Sequence, residues 1–311
     1  LTLRKSLFMD NSLFTIITVT YNSSKYVRDA IESVLASTFQ DFEYIIGDDC
    51  STDNTWEIIE GYKDPRIVKY RNESNLREYP NRNKAISMAK GEWILFIDGD
   101  DIIFPHGLDV FKYYASRYKD ASMIIQKNYL NNVVWPIKFN PKEFLLNEFF
   151  GFYRFSSSSF ASNLFRRDAL AALGNLSEDY KTGDEDIRLR FGATSESLFI
   201  PGWLTWPRET PGQASKNIRN TEMFFERSSQ VLKLLELPQL NSELKEIIEK
   251  GYKHIMQEVR ITCLKKLIRL HFKDALELLK FFGIKKIFLG PKVNLKQCDI
   301  LITPTPENPL R

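Results

Sequence analysis

The chain is short of the residues that build disulfide and soft-metal chemistry. Among 311 residues there are only three cysteines (Cys50, Cys263, Cys298) and three histidines (His106, His254, His271). The cysteines are odd in number and widely spaced, which argues against a disulfide framework and against a Cys-based zinc site. Such usage fits a reducing compartment. No two histidines stand at metal-ligand spacing, and no apolar run approaches the ~20 residues that a membrane span needs. Charge of one sign is missing too. With 43 basic and 40 acidic residues the formal net charge is +3, so the total implies neither a nucleic-acid partner nor an acidic tail. Residues 1–13 mix Arg4, Lys5 and Asp10 into a short apolar stretch without a small-residue cleavage site. No signal peptide is expected there, and Met9 is a candidate start. A cytoplasmic protein is the expectation, built as one large domain or one domain plus an appendage.

What is present is concentrated at the ends of short apolar runs. Trp93-Ile94-Leu95-Phe96-Ile97 reads as a strand buried on both faces, and it runs directly into Asp98-Gly99-Asp100-Asp101. Three carboxylates in four positions repel one another unless a positive charge joins them. An all-oxygen set suits Mg²⁺ or Mn²⁺, while an Asp-Gly turn is the alternative reading. Upstream, Phe14–Thr20 is β-branched and strand-like, ends at Tyr21-Asn22, and precedes an amphipathic helix carrying Val27, Ala30, Ile31 and Val34. A second strand, 42–47, ends in Asp48-Asp49; a third is expected at 66–70, and a helix at about 80–90 with Pro80 in its first turn. Strand–helix alternation at this interval predicts an α/β fold, a mostly parallel twisted sheet flanked by helices. In such sheets ligands bind beyond the carboxyl ends of the strands, where these polar groups converge.

Four motifs in order, Phe14 to Asn22, Gly47-Asp48-Asp49-Cys50-Ser51-Thr52-Asp53, Pro80-Asn81-Arg82-Asn83 and Ile97-Asp98-Gly99-Asp100-Asp101, resemble those of the inverting glycosyltransferases of family 2, which have the GT-A fold. The resemblance covers roughly the first two thirds of the chain. The family often has glycine before and after its Arg-Asn pair; here Leu76-Arg77-Glu78 and Lys84-Ala85 stand instead, a departure that bears on the donor. The resemblance implies a nucleotide-sugar donor, UDP-sugar first. Tyr21 would pack on the base and Asp49 would accept a base N–H. Asp98 and Asp100 would meet ribose and a diphosphate-bound Mn²⁺ or Mg²⁺, with Asp101 sharing the metal. Arg82 is a candidate diphosphate contact, or else a solvated helix arginine. Asp48-Asp49 could instead cap the next element.

Further on, a helix opened by Pro105, strands at 122–126 and 132–139, a helix at 141–150, a serine-rich loop at 156–159 and a strand at 160–166 are expected. Gly183-Asp184-Glu185-Asp186-Ile187-Arg188 follows, its acids at a probable helix start where the macrodipole favours them. In the family a Glu-Asp pair here supplies the base, which puts Asp186 in the catalytic place and Glu185 beside it; helix capping is the alternative. Trp203 and Trp206 suit either a sugar face or a core. Residues 211–215 read as a loop able to close over the donor. The catalytic domain is expected over 1–220, with a nucleotide-sugar half (14–104) and an acceptor half (105–220), and helices with an extended tail over 221–311. From Arg260 to Lys292 nine basic residues face only two acids, with apolar residues interleaved. That pattern fits an anionic membrane surface, hence a peripheral inner-face location, or equally a helical cap with a solvated basic face. Acceptors in reach are a glycan, a lipid-linked saccharide or a protein; nucleic acid is not expected. A haloacid-dehalogenase-type phosphohydrolase and a receiver-like module are the competing readings of the Asp-rich strand ends.

Overall fold

A computed structural model of the chain describes residues 12–127, 134–151, 159–210, 220–269, 271–283 and 287. Three βα units and a fourth strand open it: β1 (Phe14–Thr20), α1 (Val27–Leu35), β2 (Phe42–Asp48), α2 (Thr55–Gly61), β3 (Ile67–Arg71), α3 (Glu78–Met88) and β4 (Trp93–Phe96). There follow β5 (Ile102–Ile103), α4 (Gly107–Arg117), β6 (Ala121–Lys127), β7 (Ile137–Phe139), α5 (Pro141–Phe150), a 3₁₀ turn at Phe160–Ser162, β8 (Asn163–Arg166) and α6 (Arg167–Ala172). The rest is α7 (Gly183–Thr194), β9 (Glu196–Pro201), β10 (Thr205–Trp206), α8 (Asn220–Leu234), α9 (Ser242–Ile268) and α10 (Phe272–Phe282).

Eight strands form one sheet in the order β3-β2-β1-β4-β8-β6-β9-β7, and β5 pairs with β10 in a small antiparallel ribbon. The β3-β2-β1-β4 half is parallel throughout, whereas β8 runs antiparallel to both β4 and β6. The sheet is therefore mixed, as a GT-A sheet expected to be mostly parallel becomes once its second half is added. Pleating sends alternate side chains to opposite layers. Phe14, Ile16, Tyr44, Ile46, Trp93 and Leu95 pack with α1, α2 and α4. Ile17, Ile45, Ile94, Phe96, Phe165 and Phe199 face α3, α5 and α7. Because both faces are covered, β4 is an unbroken apolar run.

Some boundaries move. The expected 160–166 strand begins with a 3₁₀ turn, so only Asn163–Arg166 pair. Of the expected 132–139 strand, residues 132–133 lie outside the described residues, and among the described ones Ile137–Phe139, just after Pro136, pair with β9 at the sheet edge. The lid-like stretch 211–215, most of the serine run and the tail lie outside the described residues. The carboxyl-terminal helices continue the main core: Leu244, Ile247, Ile248 and Ile255 of α9 join the same apolar cluster as Phe144 and Phe149 of α5. A Cβ on Gly251 would stand 2.4 Å from the Phe149 ring, so α9 needs glycine where it crosses α5. Among the described residues no helix is long and apolar enough to cross a membrane.

Candidate active site

The carboxyl edge of the β3-β2-β1-β4 half is stitched by its own polar side chains. Asp48 is fully buried, accepting from Thr20 Oγ1 (3.2 Å), Ser51 N (3.0 Å) and Ser51 Oγ (2.5 Å), with Arg71 Nε at 3.3 Å. Asn22 Oδ1 accepts from Thr52 N (2.8 Å), and its backbone N–H donates to Ser51 Oγ (2.9 Å). Asn22, Cys50 and Arg77 all hold positive φ (52°, 61° and 74°), a backbone strain that collects where strand ends are bent to a purpose. Tyr21 stands half-exposed above this edge, its ring open to a planar ligand.

Asp49 already holds several donors. Its carboxylate accepts from Asn72 Nδ2 (2.8 Å), Leu76 N (2.9 Å) and Arg77 N (2.9 Å). Buried and holding three donors, it anchors the 72–77 loop, and a base N–H would have to find the one lone-pair site left.

The turn after β4 is pressed close. A Cβ on Gly99 would lie 2.8 Å from Thr20 Cγ2, so no larger residue lets the turn sit against β1. Its three carboxylates go to three different partners. Asp98 Oδ1 lies 2.7 Å from Arg82 Nη2; Asp100 accepts from Thr210 Oγ1 (2.8 Å); Asp101, almost fully buried, accepts from Arg208 N (3.1 Å). Burial, then the charges of Asp98 and Asp100, push the Asp101 carboxyl up to about 8. Among the described residues no three acidic, histidine or cysteine side chains are grouped to hold a metal. In this arrangement Arg82 neutralises Asp98, and the 205–210 strap engages Asp100 and Asp101. Asp100 is the carboxylate best left to share a hard cation with substrate oxygens, the way Mg²⁺ and Mn²⁺ are commonly held.

Arg82 is no solvated helix arginine. It is buried to 2% exposure, bonded to Glu78 Oε1 (3.0 Å) and Asp98, with its guanidinium 4.6 Å from the Phe160 ring centroid and 5.4 Å from that of Phe96. Burial works against its charge, but Asp98 and Glu78 outweigh it and its pKa rises. Its Nε and Nη1 have no hydrogen-bond partner among the described residues.

The acids of α7 separate by direction. Successive helical residues point about 100° apart. Asp184 falls beside the turn: its charge acts on Glu78 and Tyr79, its N–H lies 3.3 Å from Tyr79 Oη, and its carboxylate meets Arg188 at 2.7 Å. A Cβ on Gly183 would come within 2.8 Å of the Tyr79 ring, which is how α7 starts so near α3. Glu185 points to a buried network instead, paired with Arg227, which also binds Glu148 (2.7 Å); burial raises the Glu185 pKa and Arg227 opposes it. Asp186 is 3% exposed and accepts from Arg190 Nε (2.8 Å), while Arg190 also donates to Leu173 O (2.5 Å) and Asn175 O (2.8 Å). Burial raises its pKa against the pull of Arg190, and its other charged neighbours, Lys233 and Asp179, line a hollow of about 590 Å³ on the α8 side. The charge of Asp184 thus reaches Glu78 and Tyr79, next to Arg82 on α3, while the expected Asp186 pairs with Arg190.

Sequence reasoning kept Asp184 and Glu185 as the next base candidates after Asp186, and gave no role to Glu78 and Tyr79. The doubled spacing Asp184–Arg188 and Asp186–Arg190 was a signal, since each is an i,i+4 pair. It also passed over Glu226 and Gln230 of α8. Glu226 accepts from Thr182 N (2.9 Å) and Thr182 Oγ1 (2.7 Å), and Gln230 Nε2 donates to Thr182 O (3.0 Å), fixing the entry to α7. Trp203 and Trp206, which suited either a sugar face or a core, are both exposed, Trp203 just before β10 and Trp206 within it.

Comparison with known proteins agrees with this architecture. A UDP-Glc:alpha-D-GlcNAc-diphosphoundecaprenol beta-1,3-glucosyltransferase of Escherichia coli, WfaP, is 36% identical over 123 residues, 36% of this chain and 49% of that protein. The chain thus spans about half or less of the length of the curated relatives it matches. Two solved structures share the GT-A fold. Staphylococcus aureus TarS 1-349 in complex with UDP-GlcNAc superposes with a TM-score of 0.67 at 20% identity, over 88% of this chain and 81% of that one. The mannosyltransferase PcManGT from Pyrobaculum calidifontis, in complex with GDP-Man and Mn²⁺, gives 0.59 at 13% identity, over 90% and 88%. The model of the family described as "Glycosyl transferase family 2" matches residues 15–174, just over half of the chain, and by that match the protein belongs to glycosyl transferase family 2.

Proposed function

We propose that the protein is an inverting glycosyltransferase that moves a hexosyl or N-acetylhexosaminyl group from a nucleoside-diphosphate sugar, UDP-sugar before GDP-sugar, to a hydroxyl of a glycan, lipid-linked or protein acceptor. The observation that carries this is the buried, aromatic-backed Arg82 between Asp98 and Glu78, with its Nε and Nη1 unpartnered among the described residues and the charge of Asp184 acting on Glu78. An enclosed guanidinium with spare donors suits a diphosphate. Tyr21 supplies a face for the base, and the strand-end position suits a nucleotide. UDP-GlcNAc in TarS and undecaprenol-linked acceptor chemistry in the name of WfaP support the donor and acceptor classes.

In this reading Asp184 takes the proton of the acceptor hydroxyl as that oxygen attacks the sugar C1 from the face opposite the departing diphosphate. A carboxylate near C1 also favours the positive character that develops there. Arg188 holds Asp184 in place, and Arg82 balances the charge growing on the leaving phosphate. Asp100, with Asp98 next to it, would hold Mn²⁺ or Mg²⁺ against the diphosphate, and that ion, when bound, supplies Lewis-acid stabilisation of the leaving group. The exposed Trp203 and Trp206 offer apolar faces to an acceptor sugar. Asp186 and Glu185 are assigned to support the helix that carries Asp184. Thermal shift across UDP, GDP, ADP and CDP with Mn²⁺ or chelator, followed by release of nucleoside diphosphate from a UDP-sugar panel, tests the proposal. Stabilisation by UDP that grows with Mn²⁺ is the expected result; no response to any nucleoside diphosphate overturns it.

A further inference from the structure

The far end of the carboxyl-terminal helices carries apolar surface that the fold does not use. Helices α9 and α10 close a small core of their own from Val259, Cys263, Ala275, Leu278 and Phe282. That accounts for one face of each helix. A second apolar face looks outward: Ile261, Leu264 and Ile268 at i, i+3 and i+7 on α9, Phe272 and Leu276 at i and i+4 on α10. The exposure is greatest at the turn joining them, 80% at Ile268, 60% at Phe272 and 67% at Leu276. Isolated exposed apolar residues are ordinary; five on one helix hairpin are not.

Charge around this tip has one sign. Lys265, Arg269, Lys273 and Lys280 are exposed and make no ion pair among the described residues. The two acids of the segment are occupied, Asp274 by Lys266 and Glu277 by Thr221 Oγ1 (3.2 Å). We infer that this tip docks on an anionic lipid surface, its apolar residues entering the headgroup region and its cations meeting the lipid phosphates. Pattern and charge favour that partner. Exposed apolar residues on the outward faces of two helices, with cations among them, are the amphipathic arrangement that a bilayer interface takes up. Pairing the tip with a second copy of itself would set its cations against one another. Each lysine or arginine near such a surface strengthens binding about fivefold, and the attraction fades within a Debye length. The inference does not depend on the catalytic reading, since it concerns the opposite end of α9 from the helix turns that pack on α5.

The test is flotation of the full chain with vesicles of phosphatidylcholine alone and of phosphatidylcholine with phosphatidylglycerol. Binding should require the anionic lipid and fall away at about 0.5 M salt. Neutralising Lys265, Arg269 and Lys273 to Gln should weaken it roughly 100-fold. The double variant Ile268→Ser with Phe272→Ser should weaken it roughly tenfold, and both residues are exposed, so the fold, checked by circular dichroism, should hold. Soluble polyglutamate serves as the acidic-protein arm. Equal binding to neutral vesicles, indifference to both variants, or polyglutamate binding as tight as the anionic vesicles and equally sensitive to the serine variant would each overturn the inference.

Discussion

Exchanging one oxygen for one nitrogen at two neighbouring acids of α7 separates chemistry from support. In Asp186→Asn the lost charge belongs to a pair that is nearly sealed, with side-chain exposures of 4% and 13% for Asp186 and Arg190. Removing one partner of a buried pair costs about 3–5 kcal/mol when the other is stranded. Here Arg190 keeps two carbonyl partners, at 2.5 and 2.8 Å, and the amide oxygen can still accept from it. A cost of about 2 kcal/mol results, which lowers Tm by roughly 4–8 °C for a domain of this class. Asp184 is 30% exposed, and Asn there still offers an oxygen to Arg188, so its stability cost is about 1 kcal/mol. Its proton-accepting power is gone, and transfer should drop by roughly 10² to 10⁴. The assay pairs thermal denaturation with single-turnover transfer measured well below both melting temperatures, and with UDP affinity as a control that neither variant should move. A folded Asp184→Asn protein with near-normal transfer, beside a folded Asp186→Asn protein without it, would refute the direction assigned to these side chains.

Three other outcomes follow from the Asp-rich turn. Asp100→Ala should remove the extra stabilisation that Mn²⁺ gives in the presence of UDP while leaving the nucleotide-free Tm within a degree or two; an undiminished Mn²⁺ effect in thermal shift would move the ion elsewhere. Asp101, held near 8 in the fold against an ordinary value of 3.8, keeps its proton in the folded state where the unfolded chain has lost it. In excess chelator its contribution is therefore full below about pH 4 and lost as pH rises towards 8. Asp101→Asn should flatten that decline by an amount on the order of a few kcal/mol, read from urea titrations at pH 6 and pH 9. Gly99→Ala forces a Cβ to within 2.8 Å of Thr20 Cγ2; about 1–3 kcal/mol of destabilisation is expected in the same titration, together with weaker UDP binding.

The parallel half of the sheet could be read from the sequence because its signals are local. Each of β1, β2 and β4 is a short apolar run ended by a polar cluster, so strand and strand end announce themselves together. The other half depends on distant pairing. Glu196–Pro201 finds its place beside β6, some seventy residues earlier, and β5 is two residues long and exists only because β10 returns to it. The acids of α7 were visible as a cluster, but their bearings were not. A helix normally reveals its inner face by an apolar stripe; α7 is buried on nearly every side, with Asp186, Ile187, Arg188, Leu189 and Phe191 all enclosed. Without a stripe, spacing alone could not say which carboxylate turns towards Glu78 and Tyr79. Asp49 was legible as a strand-end acid, yet its three donors come from Asn72, Leu76 and Arg77, residues whose approach depends on how the intervening loop folds.

The grip of Glu226 and Gln230 on Thr182 sets a rule for recombining this chain with its relatives. The family match ends at residue 174, before α7 begins, so a graft cut at that border would carry the Asp-rich strand ends and leave the acid-bearing helix to a foreign neighbour. Residues 182–186 take their bearing from Tyr79 of α3 on one side and from α8 on the other. A chimera cut at the start of α8 would part Thr182 from Glu226 and Gln230. The interchangeable unit is α7 through α9 moved together.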